Sequence, residues 1–299
     1  MLKSGDLAIL LNPAGKRYLR NIHAGDEMHT SHGAICMDEV LAAGFGSTVE
    51  TRQGMPYKIM RPTLKDLLKG IKRQTQIIYP KDIAYICLRL GVGNGTRIIE
   101  AGSGSGGLTL ALSWFSGEKG HVYTYEAREE FYQLCGKNLA WAGVGHNVTQ
   151  HLRDIKDGFE QTDADALFLD VREPWAYVGN VTKAVKPGAP LGFLVPTIEQ
   201  VSELLKEFER QPIDDIEVVE ILLRHWKTTP DRMRPEDRMV SHTGFLIFAR
   251  YQESCPSWDA NRKLGTRERK QEAARQNRLS SPEDHEEDPG EQLNFQADA

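Results

Sequence analysis

A short apolar run, Arg97-Ile-Ile-Glu100, leads into Ala-Gly-Ser-Gly-Ser-Gly-Gly, and a helix-forming stretch begins at Leu108. Glycines at 102, 104, 106 and 107 let the backbone turn sharply and lie against a ligand with no side chain in the way. A strand, loop and helix of this kind also receives the pyrophosphate of dinucleotides, so the glycines alone do not choose the ligand. The acids narrow it. Glu100, just before the loop, would repel a pyrophosphate but suits a ligand carrying an ammonium group and a sulfonium. Glu126 closes the next strand, where it can accept hydrogen bonds from ribose hydroxyls, a feature shared with NAD enzymes. Asp154 follows the third strand and is placed for an adenine amino group. Phe131, farther along, is either a wall for the adenine ring or a core residue. The expected cofactor is S-adenosylmethionine, held by Gly102, Ser103, Gly104, Ser105, Gly106, Gly107, Leu108, Glu126 and Asp154.

These residues need a frame. Arg97–Glu100, Val122–Tyr125, Val148–His151, Ala166–Leu169 and Leu191–Val195 read as short apolar strands separated by helix-length segments. That alternation predicts a Rossmann-like α/β domain with a mostly parallel sheet covered on both faces. Ile216–Leu223 and Gly244–Ala249 are joined by a polar loop too irregular for a crossover helix, so the sheet is expected to end on an antiparallel strand. Asp82 is the expected cap of a helix running to Leu90. The predicted organisation is a small all-β domain over 1–62, a basic connector over 63–81, the ligand-binding domain over 82–252, and a charged, disordered tail over 253–299.

The bulk properties set limits. The chain has 299 residues, 40% hydrophobic and 26% charged, the make-up of a globular protein with a real core. No apolar run is long enough to span a membrane, and no signal peptide is evident. The four cysteines are scattered without a CxxC pair, and the histidines do not cluster. This argues against a zinc site or disulfide framework, predicts no metal, and fits a reducing cytoplasm. The formal charge of −5 is uneven: residues 1–81 carry 12 basic and 7 acidic side chains, which mildly favours a nucleic-acid partner.

Glu100-Ala-Gly-Ser-Gly-Ser-Gly-Gly-Leu-Thr109, preceded by Gln74-Thr-Gln-Ile-Ile-Tyr-Pro-Lys-Asp82, resembles the tRNA (adenine-N1)-methyltransferase family of the TrmI type. Leu169-Asp-Val-Arg-Glu-Pro-Trp175, Ile198-Glu-Gln-Val201 and Arg238-Met-Val-Ser-His-Thr-Gly-Phe-Leu246 extend the resemblance, in order, over most of residues 1–250. It implies a class I methyltransferase that methylates adenine 58 in the tRNA T-loop. It also implies a homotetramer with tRNA contacted across subunits, cofactor contacts at the glycine loop, Glu126 and Asp154, and a catalytic aspartate at Asp170. Arg224-His-Trp226 departs from the family, which often has Glu-Trp or Arg-Glu-Trp there.

The chemistry fits such residues. Adenine N1 is neutral at pH 7 with a free lone pair, so methyl transfer needs orientation more than a base. The product ring is cationic, and a carboxylate nearby stabilises the charge as it develops. Asp170 ends the fourth strand, at the edge where open α/β sheets bind ligands, and is expected to contact both donor and base. Tyr79 is the candidate to stack on a target base that has left its own stack. Gln76 is expected near the cofactor or base. His242 is either a hydrogen-bonding partner of Thr243 or a pocket residue. Arg224, Lys227, Arg232, Arg234 and Arg238 are either phosphate contacts or a solvated loop. Two other readings are a methyltransferase for a protein or small molecule and a non-catalytic RNA-binding subunit. The N-terminal region and the Asp-Val-Arg-Glu-Pro-Trp run disfavour the first; Glu126, Asp170 and the intact loop disfavour the second.

Overall fold

Alternating apolar residues and glycine turns at the N-terminus build β1 (Leu7–Leu11), β2 (Arg17–Asn21), β3 (Glu27–Thr30) and β4 (Gly33–Cys36). A short helix α1 (Met37–Ala43) follows, then β5 (Thr48–Glu50) and β6 (Pro56–Met60). Four of the strands form an antiparallel sheet in the order β2-β1-β6-β5, and β3 and β4 form a separate hairpin. Leu10, Ile22, Ile35, Tyr57 and Ile59 fill a core of their own. The region was expected to be all-β; α1 departs from that, since Met37-Asp-Glu-Val-Leu-Ala-Ala43 consists mostly of good helix formers. The computed structural model describes residues 1–74, 76–253 and 255–261, and the expected tail lies outside the described residues from 262 onward.

The basic connector becomes α2 (Leu64–Gly70), started by a capping box between Thr63 and Asp66. The next helix, α3 (Pro80–Arg89), begins earlier than predicted. Pro80 occupies its first position and holds Tyr79 extended at the cap, so Asp82 is not the cap. Asp82 is buried instead. Lys81 Nζ donates to its two carboxylate oxygens at 2.7 and 2.9 Å and to Thr243 Oγ1 at 2.6 Å.

The second half alternates strand and helix: β7 (Arg97–Ala101), α4 (Gly107–Ser116), β8 (His121–Glu126), α5 (Glu129–Ala142), β9 (Val148–Leu152), β10 (Ala166–Leu169), α6 (Val178–Ala184), β11 (Pro190–Val195), α7 (Ile198–Phe208), β12 (Ile213–Val219) and β13 (Phe245–Tyr251). They form a seven-stranded sheet in the order β12-β13-β11-β10-β7-β8-β9. β7 through β11 run parallel, and β13 is antiparallel to both β11 and β12, as the sequence predicted. Both faces are covered: α3, α4 and α5 pack on one and α6 and α7 on the other, which is why β10 is apolar at every position. Met1–Glu253 make one compact unit; in the second, Pro256–Asn261 form the helix α8. Among the described residues no helix is long and apolar enough to cross a membrane.

Candidate active site

The strand order decides what meets what. β10, β7, β8 and β9 lie side by side, so their carboxyl ends bring Asp170, the glycine loop, Glu126 and Asp154 together. They surround a cavity of about 450 Å³, within the ~300–1,000 Å³ range of small-molecule sites. Gln76, Gly102, Ser103, Gly104, Ser105, Gly107 and Leu108 line it with those three acids.

Local hydrogen bonds hold the loop. Gly102 and Ser103 donate their N–H groups to the Tyr125 carbonyl at 2.9 and 3.4 Å, and Gly106 N–H closes a turn on Ser103 at 2.7 Å. Asn138 on α5 donates to the carbonyls of Ser105 and Lys72, both at 2.8 Å, and accepts from Lys72 N–H at 3.0 Å. One buried amide thus ties the loop to the connector. Gly106 does not line the cavity: a Cβ there would stand 2.8 Å from Cys135 Sγ, so its lack of a side chain serves the packing of α5 beneath the loop.

Each acid has a distinct setting. Glu126 is buried; its Oε2 accepts from Gly104 N–H at 3.0 Å, and Oε1 accepts from Arg128 N–H at 3.1 Å and Arg128 Nε at 3.3 Å. Asp154 Oδ1 accepts from Lys156 N–H at 2.9 Å, starting a short 3-10 turn, and Oδ2 lies 3.6 Å from Lys156 Nζ. Asp170 is held at its backbone, where its N–H donates to the Ala101 carbonyl at 2.9 Å. Its carboxylate accepts no hydrogen bond from another described residue and faces the cavity, ringed by protein. Burial, helped by the negative charge of Glu126, pushes its pKa up to about 6.

Glu100 adds a further carboxyl to this wall. It is 1% exposed, and its Oε2 accepts from Thr109 Oγ1 at 2.6 Å and Thr124 Oγ1 at 2.7 Å. Burial raises its pKa to about 7 against the two hydroxyl bonds, with Asp170 and Glu126 adding to the rise. A carboxyl that holds its proton more tightly in the folded protein than in the unfolded chain costs stability as pH rises from about 4.5 through 7, and costs nothing below that window. Glu100→Gln keeps an oxygen for both hydroxyls and has no charge to bury. The variant is therefore expected to gain on wild type by on the order of 2–3 kcal/mol between pH 5 and pH 8 in urea unfolding of the ligand-free protein. A difference that does not change with pH would mean Glu100 is ionised throughout. Burial also raises the Cys87 and Cys135 thiols to about 12, so neither is a nucleophile near neutral pH.

Other sequence candidates lie outside this cavity. Tyr79 follows Gln76, Ile77 and Ile78 of the wall but does not line it; its ring is partly buried, 6.0 Å from Lys81 Nζ. Phe131 is buried in α5 with the Arg128 guanidinium 4.0 Å over its ring, the core placement of its two readings. His242 does not pair with Thr243. Its Nδ1 lies 2.6 Å from Glu220 Oε1 and its Nε2 2.9 Å from the Pro196 carbonyl, while Thr243 bonds Asp82. Arg232 and Arg234 are exposed on the loop before β13, where Trp226 bridges Pro235 and Lys227 pairs with Asp237 at 2.8 Å. The sequence reading missed Tyr125, Arg128, Arg153 and Tyr177 on the wall, and Asn138 behind it.

A parallel sheet with one inserted antiparallel strand, a glycine loop after β7 and acids at the next strand ends defines the class I S-adenosylmethionine-dependent methyltransferase fold. The family described as "tRNA methyltransferase complex GCD14 subunit" matches residues 58–238, and the chain belongs to it. The chain is 34% identical to the tRNA (adenine(58)-N(1))-methyltransferase TrmI of Thermus thermophilus over 81% of its own length and 95% of that protein. It is 32% identical to the tRNA (adenine(57)-N(1)/adenine(58)-N(1))-methyltransferase TrmI of Methanocaldococcus jannaschii, over 81% and 94% of the two chains. Among solved structures, the tRNA (m1A58) methyltransferase TrmI of Aquifex aeolicus superposes with a TM-score of 0.74 at 40% identity, covering 85% of this chain and 99% of that one. A SAM-dependent O-methyltransferase from Thermotoga maritima superposes with a TM-score of 0.80, also at 40% identity, covering 85% and 96%.

Proposed function

We propose that the protein transfers a methyl group from S-adenosylmethionine to N1 of adenine 58 in the T-loop of tRNA, with Asp170 as the catalytic carboxylate. The observation that carries this reading is the Asp170 carboxylate, which faces the cavity beside the glycine loop without a hydrogen bond from another described residue. The residues present fit the donor. Gly102, Gly104 and Gly107 line the cavity without side chains, and Glu126 stands at the strand end that suits ribose hydroxyls. Bound there, S-adenosylmethionine supplies an electrophilic methyl on a sulfonium.

The chain's own part is to orient and to balance charge. Asp170 accepts a hydrogen bond from the adenine N6 amino group, which turns N1 toward the methyl, and its negative charge opposes the positive charge growing on the ring. No proton has to leave N1, so no general base is called for. Gln76, Ile77 and Ile78 close the wall from the connector side, with Tyr79 next along the chain as the residue to meet an everted base. A cytoplasmic homotetramer belongs to the same reading and is supported by the family resemblance.

Incubating the full-length protein with unmodified tRNA and methyl donor should yield one N1-methyladenosine, placed at position 58 by nuclease mapping and mass spectrometry. A mark on another nucleoside, or on added protein but not tRNA, would replace this reading with one of its competitors.

A further inference from the structure

Three guanidinium-bearing residues, Arg128, Arg153 and Arg172, stand on the wall of a cavity whose floor is acidic. Two are already engaged. Arg128 is bonded to Glu126 and stacked over Phe131. Arg153 donates to the Asp157 carbonyl at 2.9 Å and pairs with Glu160 at 3.5 Å. Arg172 differs from both. It is exposed, and its side chain has no ion pair, hydrogen bond or ring contact with another described residue.

Its main chain, by contrast, is held. Val171 is partly buried against the core, whereas the next residue is exposed. Gln200 Nε2 donates to the Arg172 carbonyl at 3.0 Å, and the same Gln200 completes a capping box with Thr197 at the start of α7. The loop after Asp170 is therefore fixed while its guanidinium is left uncommitted.

We propose that Arg172 grips a backbone phosphate of the RNA beside the everted target adenosine. This rests on the reading above that the substrate is a base in RNA. A nucleotide drawn out of its stack carries its phosphodiester along, so an anion arrives at the rim when the base enters the cavity. The guanidinium fork matches phosphate geometry and holds its charge at every working pH. Arg172 lies two residues from the carboxylate that faces the base, on the solvent side of it. The donor's α-carboxylate is the other anion at hand; Arg172 is exposed on the cavity wall, where an RNA backbone outside the cavity can reach it.

The test uses full-length Arg172→Gln and Arg172→Lys proteins, unmodified tRNA, steady-state kinetics over a salt series, and calorimetric S-adenosylmethionine affinities. Arg172→Gln should raise KM for tRNA by about tenfold. It should also flatten the log–log dependence of kcat/KM on salt by about 0.7–0.9, the share of one phosphate. Donor affinity should stay within about twofold, and Arg172→Lys should restore most of the salt slope. An unchanged slope and KM with an active wild type overturns this inference alone. Weakened donor binding with an unchanged slope also overturns it and places Arg172 on the donor's carboxylate. A wild type that leaves tRNA unmethylated overturns the substrate reading as well.

Discussion

Asp170→Ala is expected to lower kcat by about 10³-fold while S-adenosylmethionine binds within a few-fold of wild type. The asymmetry follows from what the carboxylate touches. Its backbone N–H, which ties β10 to β7 through the Ala101 carbonyl, survives the substitution, so the cavity keeps its shape. The side chain accepts nothing from the other described residues, so the truncation orphans no donor among them. What disappears is a charge aimed at the ring that becomes cationic during transfer. The same carboxylate sets a pH dependence. With its pKa raised to about 6, it is ionised and competent at neutral pH and loses its charge below 6, so kcat/KM should fall on an acid limb near that value. Sulfonium binding favours the charged form and should move the kcat limb lower. Asp170→Asn should abolish the limb along with most of the rate, whereas Glu100→Gln should leave the limb in place, which assigns it within a coupled set of acids. Single-turnover rates and donor calorimetry from pH 5 to 8 read all of this. Near-wild-type turnover in Asp170→Ala would remove the residue from the mechanism.

Gly102→Ala should destabilise the protein strongly. The Cβ would stand 2.1 Å from the Asp170 carbonyl oxygen, a backbone atom on the neighbouring strand that no side-chain rotation can clear. The position also sits at φ +91°, where an L side chain is strained. Overpacking and strain together should cost on the order of 3–5 kcal/mol, enough to displace the loop or the strand end. Because the displaced strand end carries Asp170, donor affinity and catalysis should fall together. That joint loss separates this variant from Asp170→Ala. Gly106→Ala, at φ +80°, would place its Cβ 2.8 Å from Cys135 Sγ, a less severe approach than the 2.1 Å at Gly102, and should cost less. Thermal unfolding and donor calorimetry on both variants test the ranking. Gly102→Ala protein with wild-type stability and donor affinity would refute the contact.

Much of this was legible in one dimension. Alternation of short apolar runs with helix-length segments announced the parallel sheet, because strands buried on both faces must be apolar throughout. The irregular polar stretch before Gly244 announced the antiparallel strand. Acids at successive strand ends announced a shared cavity wall, since parallel strands all point their carboxyl ends the same way. The capping of α3 was misread because Asp82 is a good cap in isolation, while Pro80 two residues earlier already sets the start and frees Asp82 for Lys81 and Thr243.

What the chain alone determined, then, is local: which segments are strands, where glycine must replace a side chain, and which acids reach the sheet edge. Pairings between distant segments were left to the folded molecule. Glu100 lies opposite Thr124 in the β7–β8 register, so its proton affinity depends on a neighbour 24 residues away. Asn138 meets Lys72 across 66 residues, and Arg172 owes its fixed loop to Gln200. Periodicity reports which face of an element is buried, but not which partner it will touch, because register and side-chain pairing are settled by packing in three dimensions.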